Sequence, residues 1–159
     1  MTTPSYSYKA NNETDTENLA GWLGDFFMPG SLLALDGDLG AGKTRFSQGL
    51  ARAAGVQGVV NSPTFTIIKE YEGARLPVYH MDVYRISLEE ADDLGLDEYF
   101  YGQGLTILEW ASLIEELLPP DRLDIYIENA GGNQRVFRLT PRGEPYETWC
   151  RELKEKGIL

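Results

Sequence analysis

Eight consecutive residues, Gly37-Asp38-Leu39-Gly40-Ala41-Gly42-Lys43-Thr44, constrain this chain more than any other segment. They fit the phosphate-binding pattern G-x-x-x-x-G-K-[ST]. Glycines at 37, 40 and 42 let the backbone bend so that successive N–H groups converge on phosphate oxygens with no Cβ in the way. Lys43 brings a cation to the terminal phosphates, and the Thr44 hydroxyl is placed to ligate Mg²⁺. The flanks agree. Leu32-Leu33-Ala34-Leu35 reads as a buried strand, while Phe46, Leu50 and Ala53-Ala54 recur at helical spacing, with Gly55 as the C-cap. A strand delivers the loop, and a helix points its positive N-terminal dipole at the anion. Residues 38–44 are therefore expected to hold a nucleoside triphosphate.

Composition narrows the setting. At 159 residues, with 42% apolar and 25% charged content, the chain suits one domain with a substantial core. No apolar run approaches the roughly 20 residues that span a bilayer. The start, Met1-Thr2-Thr3-Pro4-Ser5-Tyr6, lacks the basic and apolar parts of a signal peptide. Cys150 is the only cysteine, so no intrachain disulfide forms, and a reducing cytoplasm is the expected location. A net charge of −11 argues against a broad basic nucleic-acid groove.

Along the chain, Thr14-x-x-Glu17 has the spacing of a capping box, and Leu19, Trp22, Leu23, Phe26 and Phe27 form one helical face. A helix is expected over 15–27. Ser62 to Phe65 reads as a loop, because Pro63 disfavours helix at its predecessor. Residues 65–71 and 78–84 read as a hairpin around Glu72-Gly73-Ala74, and Ser87-x-x-Glu90 caps a short acidic helix through Asp93. Leu105 to Leu108 reads as another buried strand, followed by a helix over 111–118 that stops at Pro119-Pro120. Residues 123–128 and 135–140 form a second hairpin around Gly131-Gly132. Tyr146, Trp149, Cys150 and Leu153 suggest a terminal helix. The pattern is α/β, a mixed and mostly parallel sheet with helices on both faces and added antiparallel hairpins.

A nucleotide-bound Mg²⁺ prefers six oxygens and keeps several waters, so it wants carboxylates at a neighbouring strand end. Asp82 ends Val78-Tyr79-His80-Met81, and Glu109 ends Leu105-Thr106-Ile107-Leu108. Glu109 is favoured for the metal side, with Asp82 holding a metal water. Arg85 follows the same strand end and has two readings, a cation for the γ-phosphate or a surface partner of the acids at 89–93. His80, the single histidine, reads as a hydrogen-bonded strand residue, a proton-transfer group or a nucleotide sensor. Thr64 lies in a loop able to close on the γ-phosphate. Trp110 is either core or a packing partner of that loop.

The phosphate loop, Ser62-Pro63-Thr64-Phe65, His80-x-Asp82-x-Tyr84-Arg85 and Leu108-Glu109-Trp110 occur in that order. This succession resembles the TsaE (YjeE) family of bacterial ATPases over about residues 13–140. The resemblance implies a single P-loop NTPase domain over 1–159, with about 141–159 as a C-terminal extension. It implies an ATPase, using ATP and Mg²⁺, that serves the TsaD–TsaB pair in making N6-threonylcarbamoyladenosine at position 37 of tRNAs reading codons that begin with A. Contact with tRNA would be indirect. Carried over by position, Lys43, Asp82 and Glu109 would be catalytic, and Thr44, Glu109 and Asp82 would face the metal. Glu13 and Gly132 would lie near the nucleotide. No side chain stands out as a base for the attacking water, which suits slow hydrolysis until a partner completes the site.

Three rivals share the loop. A small kinase would carry an Arg-rich lid, yet the 14 basic residues are scattered. A nucleotide-gated interaction module without turnover needs only a switch loop. A GTPase would need an Asn-Lys-x-Asp segment, which is absent.

Overall fold

The computed structural model describes residues 4–38, 40–61 and 67–159. Leu32 to Leu35 are buried without a break, as are all five residues from Leu105 to Glu109. Strands of this kind, apolar on both faces, belong at the centre of a covered parallel sheet. They become β2 (Leu32–Gly37) and β5 (Leu105–Glu109), paired in parallel. Parallel partners flank them, β6 (Arg122–Gly131) beside β2 and β4 (Val78–Asp82) beside β5. Antiparallel strands finish both edges: β3 (Ile68–Tyr71) against β4, and β7 (Gln134–Arg142) then β1 (Tyr6–Ala10) beyond β6. The order is β1-β7-β6-β2-β5-β4-β3. The sheet is mixed, with a parallel four-strand centre and hairpin edges.

Helices cover both faces, because alternate residues of the central strands feed two separate cores. On one face Leu33, Leu35, Ile107, Ile125 and Phe137 pack with α1 (Glu13–Gly24), α2 (Lys43–Ala53) and α5 (Tyr146–Glu155). On the other, Leu32, Ala34, Met81 and Leu108 meet α3 (Leu88–Asp92), α4 (Asp97–Phe100) and a 3-10 segment, Ala111–Leu117. The carboxyl ends of β2, β4 and β5 therefore open together at one edge of the sheet, where ligands of open α/β folds bind.

Several local expectations shift. The first helix runs Glu13–Gly24 rather than 15–27, because Asn12, not Thr14, caps it by accepting from Asp15 N at 2.8 Å. The expected helix over 111–118 is a 3-10 segment broken at Ile114 (φ −126°). β1 and α4 were not foreseen: each is short, and α4 spans only four residues. The acidic helix carries its capping box at Ser87 and Glu90 as read. The loop at 62–65, and the start of the strand at 65–71, lie outside the described residues. Among the described residues no helix is long and apolar enough to cross a membrane.

The chain's tail is integral to the core. Tyr146, Trp149, Cys150 and Leu153 line the buried face of α5, and Trp149 stacks on Phe26 and meets Tyr146 edge to face. The Tyr146 hydroxyl accepts from Leu32 N at 2.9 Å, which satisfies the first amide of β2. Burial drives the Cys150 thiol up to about 12, so it behaves as a packed apolar group. Tyr146→Phe should cost about 1–3 kcal/mol by stranding that amide, and Trp149→Ala about 3–5 kcal/mol. Urea unfolding at unchanged m-value measures both. Losses under about 0.5 kcal/mol in each would mean that the tail does not hold the core.

Candidate active site

The loop between β2 and α2 needs two unusual backbone features, and glycine supplies both. Gly42 sits at φ 98°, a left-handed conformation that side-chain-bearing residues rarely adopt. A Cβ on Gly37 would come 2.3 Å from Ile127 O, so only glycine lets β2 end against β6. Lys43 opens α2 with its side chain turned inward. Its ammonium donates to the carbonyls of Gly37 (3.1 Å) and Asp38 (2.8 Å) and lies 4.0 Å from the centre of the Trp110 ring. Burial pushes Lys43 below the usual ammonium range, and Glu109, Asp36, Asp38 and Asp82 pull it back up.

Glu109 closes β5 and is 2% exposed. Thr44 Oγ1 donates to its Oε1 at 3.2 Å, Ser47 Oγ lies 3.2 Å from its Oε2 and 2.9 Å from Lys43 O, and His80 Nε2 also meets Oε2. The strand register pairs Asp82 with Glu109 at the ends of β4 and β5. Asp82 is half-buried and accepts from Tyr84 N at 2.9 Å. Burial, then repulsion from Glu109, raises its carboxyl above the usual range, against the Tyr84 N–H. The two carboxylates thus converge on α2's first turn from neighbouring strands. Among the described residues no three His, Cys, Asp or Glu side chains form a metal cage of their own. The oxygens of Thr44, Asp82 and Glu109 fit a hard cation whose remaining ligands are phosphate and water.

The other candidate residues divide. Asp38, Gly40 and Ala41 lie on the loop; Leu39 and Thr64 fall outside the described residues. Glu13 reaches the site's rim indirectly, its carboxylate 2.8 Å from Arg45 on α2. Arg85 is exposed after β4 and makes no ion pair among the described residues. Trp110 holds φ 63°, ψ 36°, a strained conformation for a bulky residue, and its ring packs on Tyr84 at 4.6 Å. It is half-buried against the second core and under Lys43.

Three contributors escaped the sequence. Ser47 lies one helical turn after Lys43, a spacing that marks it as sharing the loop-facing side of α2. Arg135, on β7, donates through Nε to Ala41 O at 2.7 Å and through its terminal nitrogen to Gly132 O at 2.7 Å. Tyr126, on β6, donates to Asp38 Oδ1 at 3.1 Å. The latter two reach the loop across the sheet, which no local pattern signals. Gly132 meets the site through Arg135.

A parallel-centred sheet, a glycine loop feeding a helix, and a carboxylate strand end hydrogen-bonded to that helix define an α/β protein of the phosphate-loop class. The model of the family "Threonylcarbamoyl adenosine biosynthesis protein TsaE" matches residues 10–137. The tRNA threonylcarbamoyladenosine biosynthesis protein TsaE of Bacillus subtilis is 52% identical over 146 residues, 92% of each chain. That of Treponema pallidum is 41% identical over 124 residues, covering 77% of this chain and 91% of its own. A crystal structure of Bacillus subtilis YdiB superimposes with a TM-score of 0.86 at 44% identity over 99% of both chains. The chain belongs to the TsaE family, whose role is in tRNA threonylcarbamoyladenosine biosynthesis.

Because Arg135 braces Ala41 from outside the loop, Arg135→Ala should speed amide exchange at residues 40–44 while global stability falls by only about 1 kcal/mol. Amide hydrogen exchange followed by mass spectrometry reads this directly. Unchanged protection at 40–44 would remove Arg135 as a brace.

Proposed function

We propose that the chain binds ATP with Mg²⁺ on residues 37–44 and hydrolyses it in support of the TsaB–TsaD pair. That pair would make N6-threonylcarbamoyladenosine at position 37 of tRNAs reading codons that begin with A, and the setting would be the cytoplasm. The observation that carries this reading is the Thr44–Glu109 hydrogen bond. A hydroxyl has one proton and two lone pairs. Thr44 gives its proton to Glu109 and so keeps its lone pairs for a cation.

The chain's own groups then have distinct tasks. Backbone N–H groups of residues 40 and 42–44, at the positive end of α2, would receive phosphate oxygens, while that of Ala41 donates to Asp38 O at 3.0 Å. Lys43 would exchange its two carbonyl acceptors for phosphate oxygens within a short swing of its side chain. Glu109 fixes Thr44, and Asp82, half-open to solvent, would orient a metal-bound water. Bound Mg²⁺ would neutralise charge on the β- and γ-phosphates. Catalysis of this kind depends on positioning and charge stabilisation, so the lack of an obvious base beside the loop among the described residues is compatible with slow turnover alone and faster turnover with partners.

The deciding experiment compares ATP hydrolysis with and without TsaB–TsaD for wild type, Lys43→Ala and Glu109→Gln. Partner-stimulated turnover that falls about 10²-fold or more in both variants is expected, the scale of losing one transition-state contact. Binding without turnover, with partners present, would leave a nucleotide-gated interaction module. Wild-type affinity and turnover in Lys43→Ala would sink the nucleotide site itself.

A further inference from the structure

His80 is 0% exposed, on β4, and the rest of the site does not explain it. It lies two residues before Asp82, so both side chains leave the strand on the face that meets α2. The register sets His80 opposite Ile107 and Asp82 opposite Glu109. His80 is thus the diagonal neighbour of Glu109, at a spacing a long side chain can bridge. Its Nε2 touches Glu109 Oε2, and its Nδ1 has no partner among the described residues.

Counting protons shows what this contact does. Glu109 is buried and needs donors on both oxygens. Thr44 supplies Oε1. Ser47 sits 3.2 Å from Oε2, but its single proton also faces Lys43 O at 2.9 Å, the nearer acceptor. Oε2 therefore rests chiefly on Nε2–H of His80. The ring makes no other polar contact among the described residues, so an apolar side chain would fill this strand position without stranding Nδ1. The imidazole's polar contribution goes to Glu109 alone.

We propose that His80 is a positioning residue that locks the Glu109 carboxylate against Thr44 and thereby sets the magnesium dependence of nucleotide binding. With Oε2 released, the carboxylate can rotate away, and Thr44 loses the acceptor that aims its lone pairs outward. Nucleotide contacts made by the loop backbone and Lys43 do not pass through His80. The effect therefore falls on binding with Mg²⁺ and spares binding without it. The inference rests on the proposed ATP–Mg²⁺ site.

The test has two arms. ATP affinity is measured by calorimetry in Mg²⁺ and in EDTA for wild type, His80→Phe and His80→Gln, with thermal midpoints recorded for each. His80→Phe should lose about 10- to 100-fold of the magnesium enhancement, the range for removing a group that orients a metal-site ligand, with EDTA affinity unchanged. His80→Gln, whose amide can still donate to Oε2, should recover most of it. A folded His80→Phe with full enhancement, or an equal loss with and without Mg²⁺, overturns the proposal. The second arm needs no variant. His80 is the only histidine, so the ¹⁵N imidazole spectrum of the wild-type protein reports it alone. Protonated Nε2 beside unprotonated Nδ1 is expected, and a proton on Nδ1 with bare Nε2 overturns the proposal. Wild type that binds no ATP in either condition would instead refute the nucleotide site.

Discussion

The buried carboxylate of Glu109 is the interaction on which the site depends. Placing such a group out of water costs several kcal/mol unless donors meet it. Thr44 and Ser47 on α2 and His80 on β4 meet it from two elements. The arrangement works in both directions. The carboxylate is tolerable only because α2 starts where it does, and α2's first turn is held against β5 by the same bonds. A shift of β5 by one residue would turn Glu109 to the other face and leave all three donors facing apolar side chains. The parallel β2–β5–β4 register and the side chains of Thr44, Ser47, His80 and Glu109 are consequently one mechanical unit.

The β6–β7 hairpin holds the same loop from its other side. Gly37 backs onto Ile127, Tyr126 binds the Asp38 carboxylate, and Arg135 binds the Ala41 carbonyl. These contacts fix the loop at its first two residues and just ahead of the helix. A phosphate loop works by presenting N–H groups in a set geometry, so anchors on its carbonyls and side chains are a natural complement. Strain collects at the junction as well. Trp110 takes a left-handed conformation directly after Glu109, at a cost of order 1–2 kcal/mol. Its N–H to Leu35 O (2.8 Å) and its ring contacts with Tyr84 and Lys43 hold it there.

What the sequence disclosed follows from the range of the physics involved. The phosphate loop, its strand and its helix were legible because the glycines, Lys43 and the apolar spacing all act within about 20 residues. Glu109 and Asp82 were legible as acids ending apolar stretches, and their adjacency had to wait for the strand register. Ser47 carried a usable signal in its helical spacing from Lys43. Arg135 and Tyr126 carried none, since their partners lie 94 and 88 residues away. The tail illustrates the same limit. Its helical face was visible, but the pairing of Tyr146 with Leu32, 114 residues distant, makes it part of the core. The first helix was misplaced because Asn12 and Thr14 are both competent caps, and only the surrounding chain selects between them.

The charge pattern of the site carries one further consequence. Lys43 is the cation at its centre, and Glu109, Asp36, Asp38 and Asp82 all act on it. A bare triphosphate on this loop would come near one buried ammonium, backbone N–H groups and the strand-end carboxylates of Asp82 and Glu109, on a chain of net charge −11. At an effective dielectric constant near 20, two unit charges 4 Å apart interact by about 4 kcal/mol, so each acid close to the phosphates would weaken binding of the bare nucleotide. A divalent cation held near the strand-end acids would reverse the sign of those contacts. The carboxylates that would repel the nucleotide alone would then hold it through the metal. Acidic surroundings are therefore compatible with the proposed nucleotide site, which a divalent cation arriving with the nucleotide would strengthen.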